Sequence, residues 1–203
     1  EYHLYAQWLA SVQVDSLREQ AAGRGVELYM DLPLGVHPDG YDAWAYRDVF
    51  ARGVSGGAPP DAFFTAGQDW GFRPMHPWNS RDAGHAYFRR IVSRLMHFSN
   101  VIRLDHVMSL HRLYWVPLGF PADQGAYVRY PWEELYAILL LESHRNQCVI
   151  VGEDLGTVPP EVRQSMEEKG VLRMFVGQFE IDPWNGTGVH NPAGQMVASV
   201  NTH

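Results

Sequence analysis

A single cysteine, Cys148, stands in the whole chain, inside an apolar strand-like run. Disulfides therefore play no part, and the residue reads as a small buried hydrophobe in a reducing, cytoplasmic setting. Also missing are an uninterrupted apolar run of about 18 residues and a charged-then-apolar leader, so the residues present hold no membrane-spanning helix and no export signal. Glu1 rather than methionine opens the sequence, in keeping with an excerpt of a longer polypeptide. No block of Lys or Arg occurs and the net charge is −7, which leaves no basic field for a nucleic-acid backbone. The ten histidines show no paired-ligand spacing; His106 and His111, across a strand end, are the weak exception, and no catalytic metal or other cofactor is expected. No Gly-rich phosphate turn follows the first strand, and no serine or cysteine sits in a nucleophile elbow, so nucleotide binding and acyl transfer lack support. Asn185-Gly-Thr187 has the form of a glycosylation acceptor, a triplet that arises often by chance and matters only in an exported protein.

What is present is an ordinary globular balance, 203 residues with 46% hydrophobic and 19% charged, enough for one domain and possibly two. The 13% aromatic content exceeds the needs of a core and suits stacking on flat apolar ligand faces, although core packing takes the larger share. Helical spacing over residues 3–22 stops at Gly23 and Gly25, and a strand at 26–30 runs into Asp31-Leu-Pro33. Residues 35–81 form a long Gly/Pro-rich loop insertion, whose Trp44, Phe63, Phe64, Trp70 and Trp78 are expected mostly to pack onto the domain. Asp82 is placed to cap a helix leading to a strand at 101–106. Pro131 opens a helix to about residue 146, followed by a strand at 148–152. Pro159 and Pro160 open another helix, stopped by Gly170, before a strand at 171–179 and a fifth at 197–203. Such alternation implies a parallel sheet, doubly wound or barrel. With five of the eight strands a closed barrel needs, the expected fold is part of an α/β parallel (β/α)8 TIM-type barrel, with residues 1–203 as a partial catalytic domain.

The chemistry concentrates where apolar strands end in charge. In Val101-Ile-Arg-Leu-Asp105-His106, Arg103 and Asp105 leave one face of an extended backbone while Leu104 and His106 leave the other. Cys148-Val-Ile-Val-Gly152 ends likewise in Glu153 and Asp154. Paired carboxylates at neighbouring strand tips are what glycosidic-bond chemistry requires, one protonating the leaving oxygen while the other attacks or activates water. Asp105 and Glu153 form the natural pair, with Arg103 able to hold Asp105 ionised. The plainer alternative is that each carboxylate serves an ion pair or a cap.

Taken in order, Asp31-Leu-Pro-Leu-Gly-Val, Gly57-Ala-Pro-Pro-Asp61, Gly67-Gln-Asp-Trp-Gly71, Arg103-Leu-Asp-His106, Tyr114-Trp-Val-Pro117, Gly152-Glu-Asp-Leu-Gly-Thr-Val-Pro159 and Asn201-Thr-His203 cover nearly the whole chain. Together they resemble the amylomaltase or 4-α-glucanotransferase family of the α-amylase-like barrel enzymes. The resemblance implies that Asp105 is the nucleophile and Glu153 the general acid/base, with Arg103 and His106 as sugar-binding or orienting neighbours. It also implies subsite roles for Asp31, Gln68 and Trp70. His203 matches the histidine of the family's last motif, whose hydroxyl-binding aspartate would follow it. The implied protein is a cytoplasmic transferase of α-1,4-glucans and maltooligosaccharides, working with retention, without nucleic-acid or membrane partners, and completed by the remainder of its parent polypeptide. A retaining α-glucan hydrolase of the same barrel group and a noncatalytic glucan-binding module are the alternatives. Glu153 should have a raised pKa, from apolar surroundings and the nearby Asp105 charge. The 203 residues alone are expected to be inactive.

Overall fold

Regular elements follow one another through a computed structural model that describes residues 1–181, 192 and 194–201. His203 and the Asn185-Gly-Thr187 triplet lie outside these described residues. In chain order come helix α1 (Tyr2–Ala22), strand β1 (Tyr29–Leu32), helix α2 (Tyr41–Ala45), strands β2 (Val54–Ala58) and β3 (Gln68–Asp69), and helices α3 (Pro77–Asp82) and α4 (Ala86–Phe98). Strands β4 (Val101–Leu104), β5 (Arg112–Pro117) and β6 (Ala126–Arg129) precede helix α5 (Trp132–Asn146). Strand β7 (Val149–Gly152), helix α6 (Pro160–Glu168) and strands β8 (Leu172–Val176) and β9 (Met196–Ser199) complete them.

Strands β1, β4, β7, β8 and β9 pair in that order, all parallel. Asp31 stands opposite Arg103, and Arg103 opposite Val151, so these side chains leave one face. Ile102, Leu104 and Ile150 leave the other and join Val92 and Met96 of α4, Leu135 and Leu139 of α5, and Val162 and Met166 of α6 in the main core. Gly152 lets β7 approach that layer, since a Cβ there would lie 2.8 Å from both Met166 and Val107. Five parallel strands with helices on one side make a partial (β/α) barrel.

A second sheet was not foreseen. Strands β3, β2, β5 and β6 pair antiparallel in that order. The first two come from the connection after β1 and the last two from the connection after β4, so two loops at the same end of the barrel strands zip together. Local patterning hides β2, because Val54-Ser-Gly-Gly-Ala has little intrinsic strand preference. Its glycines are set by close approach: a Cβ on Gly56 would fall 2.1 Å from the Phe72 ring, and one on Gly57 2.1 Å from the Gln68 carbonyl oxygen. Residues 35–81 thus contain α2, β2, β3 and most of α3.

Several sequence expectations change. The first strand is shifted to Tyr29–Leu32, carrying Asp31 inside it. Asp82 ends α3 and caps nothing; Gly84 (φ 60°) and His85 (φ 51°) turn left-handed, and α4 starts at Ala86. Strand β8 stops at Val176 and a 3-10 turn, Gly177–Phe179, replaces its expected end. Helix α1 forms as read, yet Leu4, Trp8, Val12 and Leu17 of its apolar stripe are exposed and only Ala21 is buried. Of the loop aromatics, Trp44, Phe63, Phe64 and Trp78 are exposed, Phe63 at 91%, and only Trp70 packs against the core. Trp44 and Trp78 sit on the short helices α2 and α3 and Phe63 and Phe64 on the connection between β2 and β3, all four on the outside, so aromatic content alone was a poor guide to burial.

Replacing Gly57 by Ala forces β2 and β3 apart, because its clash is with backbone rather than with a movable side chain. The expected loss is about 1–3 kcal/mol, read from the shift of the urea midpoint. A Gly57→Ala protein as stable as its parent would contradict this close approach.

Candidate active site

The parallel ladder carries the functional backbone slightly beyond the strands themselves. The Asp105 N–H donates to the Leu32 carbonyl at 3.1 Å, and the Glu153 N–H to the Leu104 carbonyl at 2.9 Å. Both residues follow the paired rung Leu104–Gly152, so both side chains leave the face already occupied by Asp31 and Arg103. Arg103 forks between them: Nη1 donates to Asp31 Oδ1 and Nη2 reaches Asp105 Oδ1, each at 2.7 Å. Its side chain is 10% exposed, while those of Asp31 and Asp105 keep 47% and 37%. Burial works against the guanidinium charge, but the bonds and charges of Asp31 and Asp105 outweigh it and raise the Arg103 pKa.

Glu153 is held by backbone alone. Oε1 accepts from the Leu155 N–H at 2.7 Å and Oε2 from the His106 N–H at 3.0 Å. Burial raises its pKa against those two bonds, and the Asp105 charge adds to the rise. His106 can donate in this way because its backbone is left-handed, φ 48° and ψ 64°, a conformation uncommon for a side chain with a Cβ. Burial lowers its imidazole pKa to about 4, opposed by Asp105, so the ring is neutral at ordinary pH. The ring meets Trp70 edge-on at 5.3 Å, and the Trp70 indole N–H donates to Gln68 Oε1 at 2.7 Å. The second sheet therefore delivers Gln68 and Trp70 to the barrel-strand tips. A cavity of about 1190 Å³, mostly apolar, lies between α1, α4 and β1 and touches this cluster at Asp31 and Asp105. Among the described residues no group of His, Cys, Asp and Glu has the makings of a metal site.

A family profile described as 4-alpha-glucanotransferase matches residues 1–203. The chain belongs to the 4-α-glucanotransferase family. It is 40% identical over 210 residues to the 4-alpha-glucanotransferase of Mycobacterium tuberculosis, covering 100% of this chain and 29% of that protein. Identity to the Haemophilus influenzae 4-alpha-glucanotransferase is 40% over 205 residues, again 100% of this chain and 29% of the relative. Among solved structures, amylomaltase from Corynebacterium glutamicum superposes with a TM-score of 0.91 at 32% identity, over 99% of this chain and 29% of that one. An amylomaltase from Streptococcus agalactiae in complex with acarbose shares the fold, with a TM-score of 0.87 at 21% identity, over 99% of this chain and 42% of that one. The chain thus spans less than a third of the length of the first relatives it matches.

Within this member of the 4-α-glucanotransferase family, seven of the eight residues singled out in sequence come together: Asp31, Gln68, Trp70, Arg103, Asp105, His106 and Glu153. The eighth, His203, lies outside the described residues. Asp154 faces away, 1% exposed, bonded by Arg173 Nε at 2.7 Å and Arg163 Nε at 3.3 Å. Leu155 was not foreseen, since a backbone donor carries no signature in side-chain pattern. One further arrangement looks like a catalytic relay. Ser80 Oγ lies 2.9 Å from His85 Nδ1, and His85 Nε2 lies 3.0 Å from Glu134 Oε2. Ser80 is 1% exposed, however, so no substrate carbonyl reaches it, and the chain of bonds ties α3 to α5.

The His106 imidazole should titrate near pH 4 when followed by its ring-proton resonances. An apparent pKa at the usual ~6.5 would contradict its burial against Trp70.

Proposed function

We propose that the polypeptide carrying these residues is a 4-α-glucanotransferase that moves segments of α-1,4-glucans and maltooligosaccharides to acceptor sugars with retention. The observation that carries this reading is the placement of Asp105 and Glu153 one residue past the rung Leu104–Gly152, on adjacent parallel strands and one face. Neighbouring strands lie about 4.8 Å apart, close to the roughly 5–5.5 Å between carboxyl groups that goes with a covalent intermediate. An Asp105 oxygen attacks the anomeric carbon and the glycosidic C–O bond breaks, while the Glu153 proton passes to the departing oxygen. An acceptor hydroxyl then gives its proton to Glu153 and attacks the same carbon, releasing Asp105. Two inversions leave the configuration retained.

The environments suit these roles. The raised pKa of Glu153 supports a proton donor, and the Arg103 contact orients and stabilises the Asp105 carboxylate. Asp31, Gln68, Trp70 and neutral His106 serve as sugar-facing groups, the indole offering a stacking face. Residues 1–203 are part of one catalytic barrel domain, completed by the remainder of the parent polypeptide, and the setting is cytoplasmic. No helix among the described residues is long and apolar enough to cross a membrane.

Incubation of the full polypeptide with maltotriose is expected to yield oligomers longer than the donor; glucose and maltose alone would replace the transferase reading by hydrolysis. Asp105→Asn and Glu153→Gln should each lower transfer by at least about a hundredfold. Activity should fall as pH rises through the Glu153 pKa, since the donor proton is then lost, and Glu153→Gln should abolish that alkaline limb. Glucan affinity untouched by either substitution, in a parent polypeptide that itself transfers nothing, would leave only a binding module. Residues 1–203 alone, with β1 and β9 as open sheet edges, should fall about a thousandfold or more short of the full rate.

A further inference from the structure

The carboxylate beside Glu153 has no place in the reaction, yet it is among the most enclosed charges in the described chain. Asp154 Oδ2 accepts from Arg173 Nε of β8 at 2.7 Å and from Arg163 Nε of α6 at 3.3 Å, while Oδ1 accepts from the Met174 N–H at 3.2 Å. Its side chain is 1% exposed. Three donors on two elements thus fasten the turn that follows β7. The same turn supplies the Leu155 N–H that grips Glu153 Oε1 at 2.7 Å. Glu153 has no side-chain partner, so the aim of its carboxyl group depends on where residues 153–155 and the His106 N–H are held.

We propose that Asp154 is the positioning residue of Glu153: by anchoring the turn to β8 and α6 it keeps the Leu155 N–H on Oε1 and leaves the other carboxyl oxygen directed by His106. This rests on the acid/base reading of Glu153. Around Glu153 the charged neighbours are Asp105 and Arg103 of β4, with His106 contributing only its N–H; around Asp154 they are Arg163 and Arg173. The sign of the pH response separates positioning from simple electrostatics. Removing a negative charge next to Glu153 would by itself lower the Glu153 pKa. Releasing the Leu155 N–H removes a bond that favours the carboxylate, and so raises it.

The test uses the full polypeptide and its Asp154→Asn variant, in which the charge is lost and one carboxylate oxygen becomes an NH2 group that cannot accept, so the amide serves either the two arginines or the Met174 N–H but not all three. Positioning predicts an alkaline limb of kcat/KM moved up by roughly half a pH unit or more, with kcat down at least about tenfold and KM within about twofold, as misplacement by a fraction of an ångström produces. The Glu153 carboxyl pKa, read separately by 13C NMR, should rise in parallel; that reading does not depend on activity, so it stands even where the transferase reading fails. A limb and a carboxyl resonance that stay put or move down, in a variant with the parent's circular dichroism, would overturn the proposal. Should Asp154→Asn not fold, Arg173→Lys keeps the charge and loses the Nε donor: a smaller upward move of both readouts supports the anchor, and no move overturns it.

Discussion

The strand tips are organised around one buried guanidinium placed between two carboxylates. Arg103 bridges Asp31 of β1 to Asp105 at the end of β4, so a single side chain fixes the two strands to one another and aims the Asp105 carboxylate. A guanidinium suits this task because its planar fork makes two directed bonds, which an ammonium cannot reproduce. Breaking a fully buried pair costs about 3–5 kcal/mol, and this pair lies below that range because both carboxylates keep contact with solvent. Its value lies in arrangement. Without the fork, Asp31 and Asp105 would repel across neighbouring strands.

Around that fork, the protein separates two carboxyl groups by environment. Asp105 has a cation and some solvent; Glu153 has burial, two backbone donors and the field of Asp105. Such a divergence is what distinguishes a nucleophile from a proton donor. The left-handed turn at His106 links the two, since the residue after Asp105 donates its N–H to Glu153. Strain at this position is therefore used to couple neighbouring strand tips. The antiparallel sheet then brings Trp70 and Gln68 from the other long connection to close one side.

Legibility in the sequence followed the range of the interactions. Strand tips at Asp105 and Glu153 were readable because period-two alternation and an abrupt charge after an apolar run are local signals. So were α5 and α6, opened by prolines. The sheet formed by Val54–Ala58 and Arg112–Pro117 was not, because its partners are remote in the chain and its glycines are explained only by Phe72 and Gln68 lying against them. The apolar stripe of α1 marked a helix correctly, but its exposure was not legible, since periodicity states which face is apolar and not what covers it. Asp154 shares its strand end with Glu153 in the sequence, and only the remote donors Arg163, Arg173 and the Met174 N–H give it a structural role. Family motifs supplied roles for Asp31, Gln68, Trp70 and His106 that composition and spacing alone did not.

The most direct measurement is to trap the covalent intermediate. A Glu153→Gln form of the full polypeptide, given an α-maltosyl fluoride whose good leaving group needs no proton, should accumulate a glycosyl-enzyme that survives an acid quench. Peptide mass spectrometry should then find the added sugar on Asp105. Sugar on Asp31 or any other residue, or turnover with inversion and no adduct, would contradict the account.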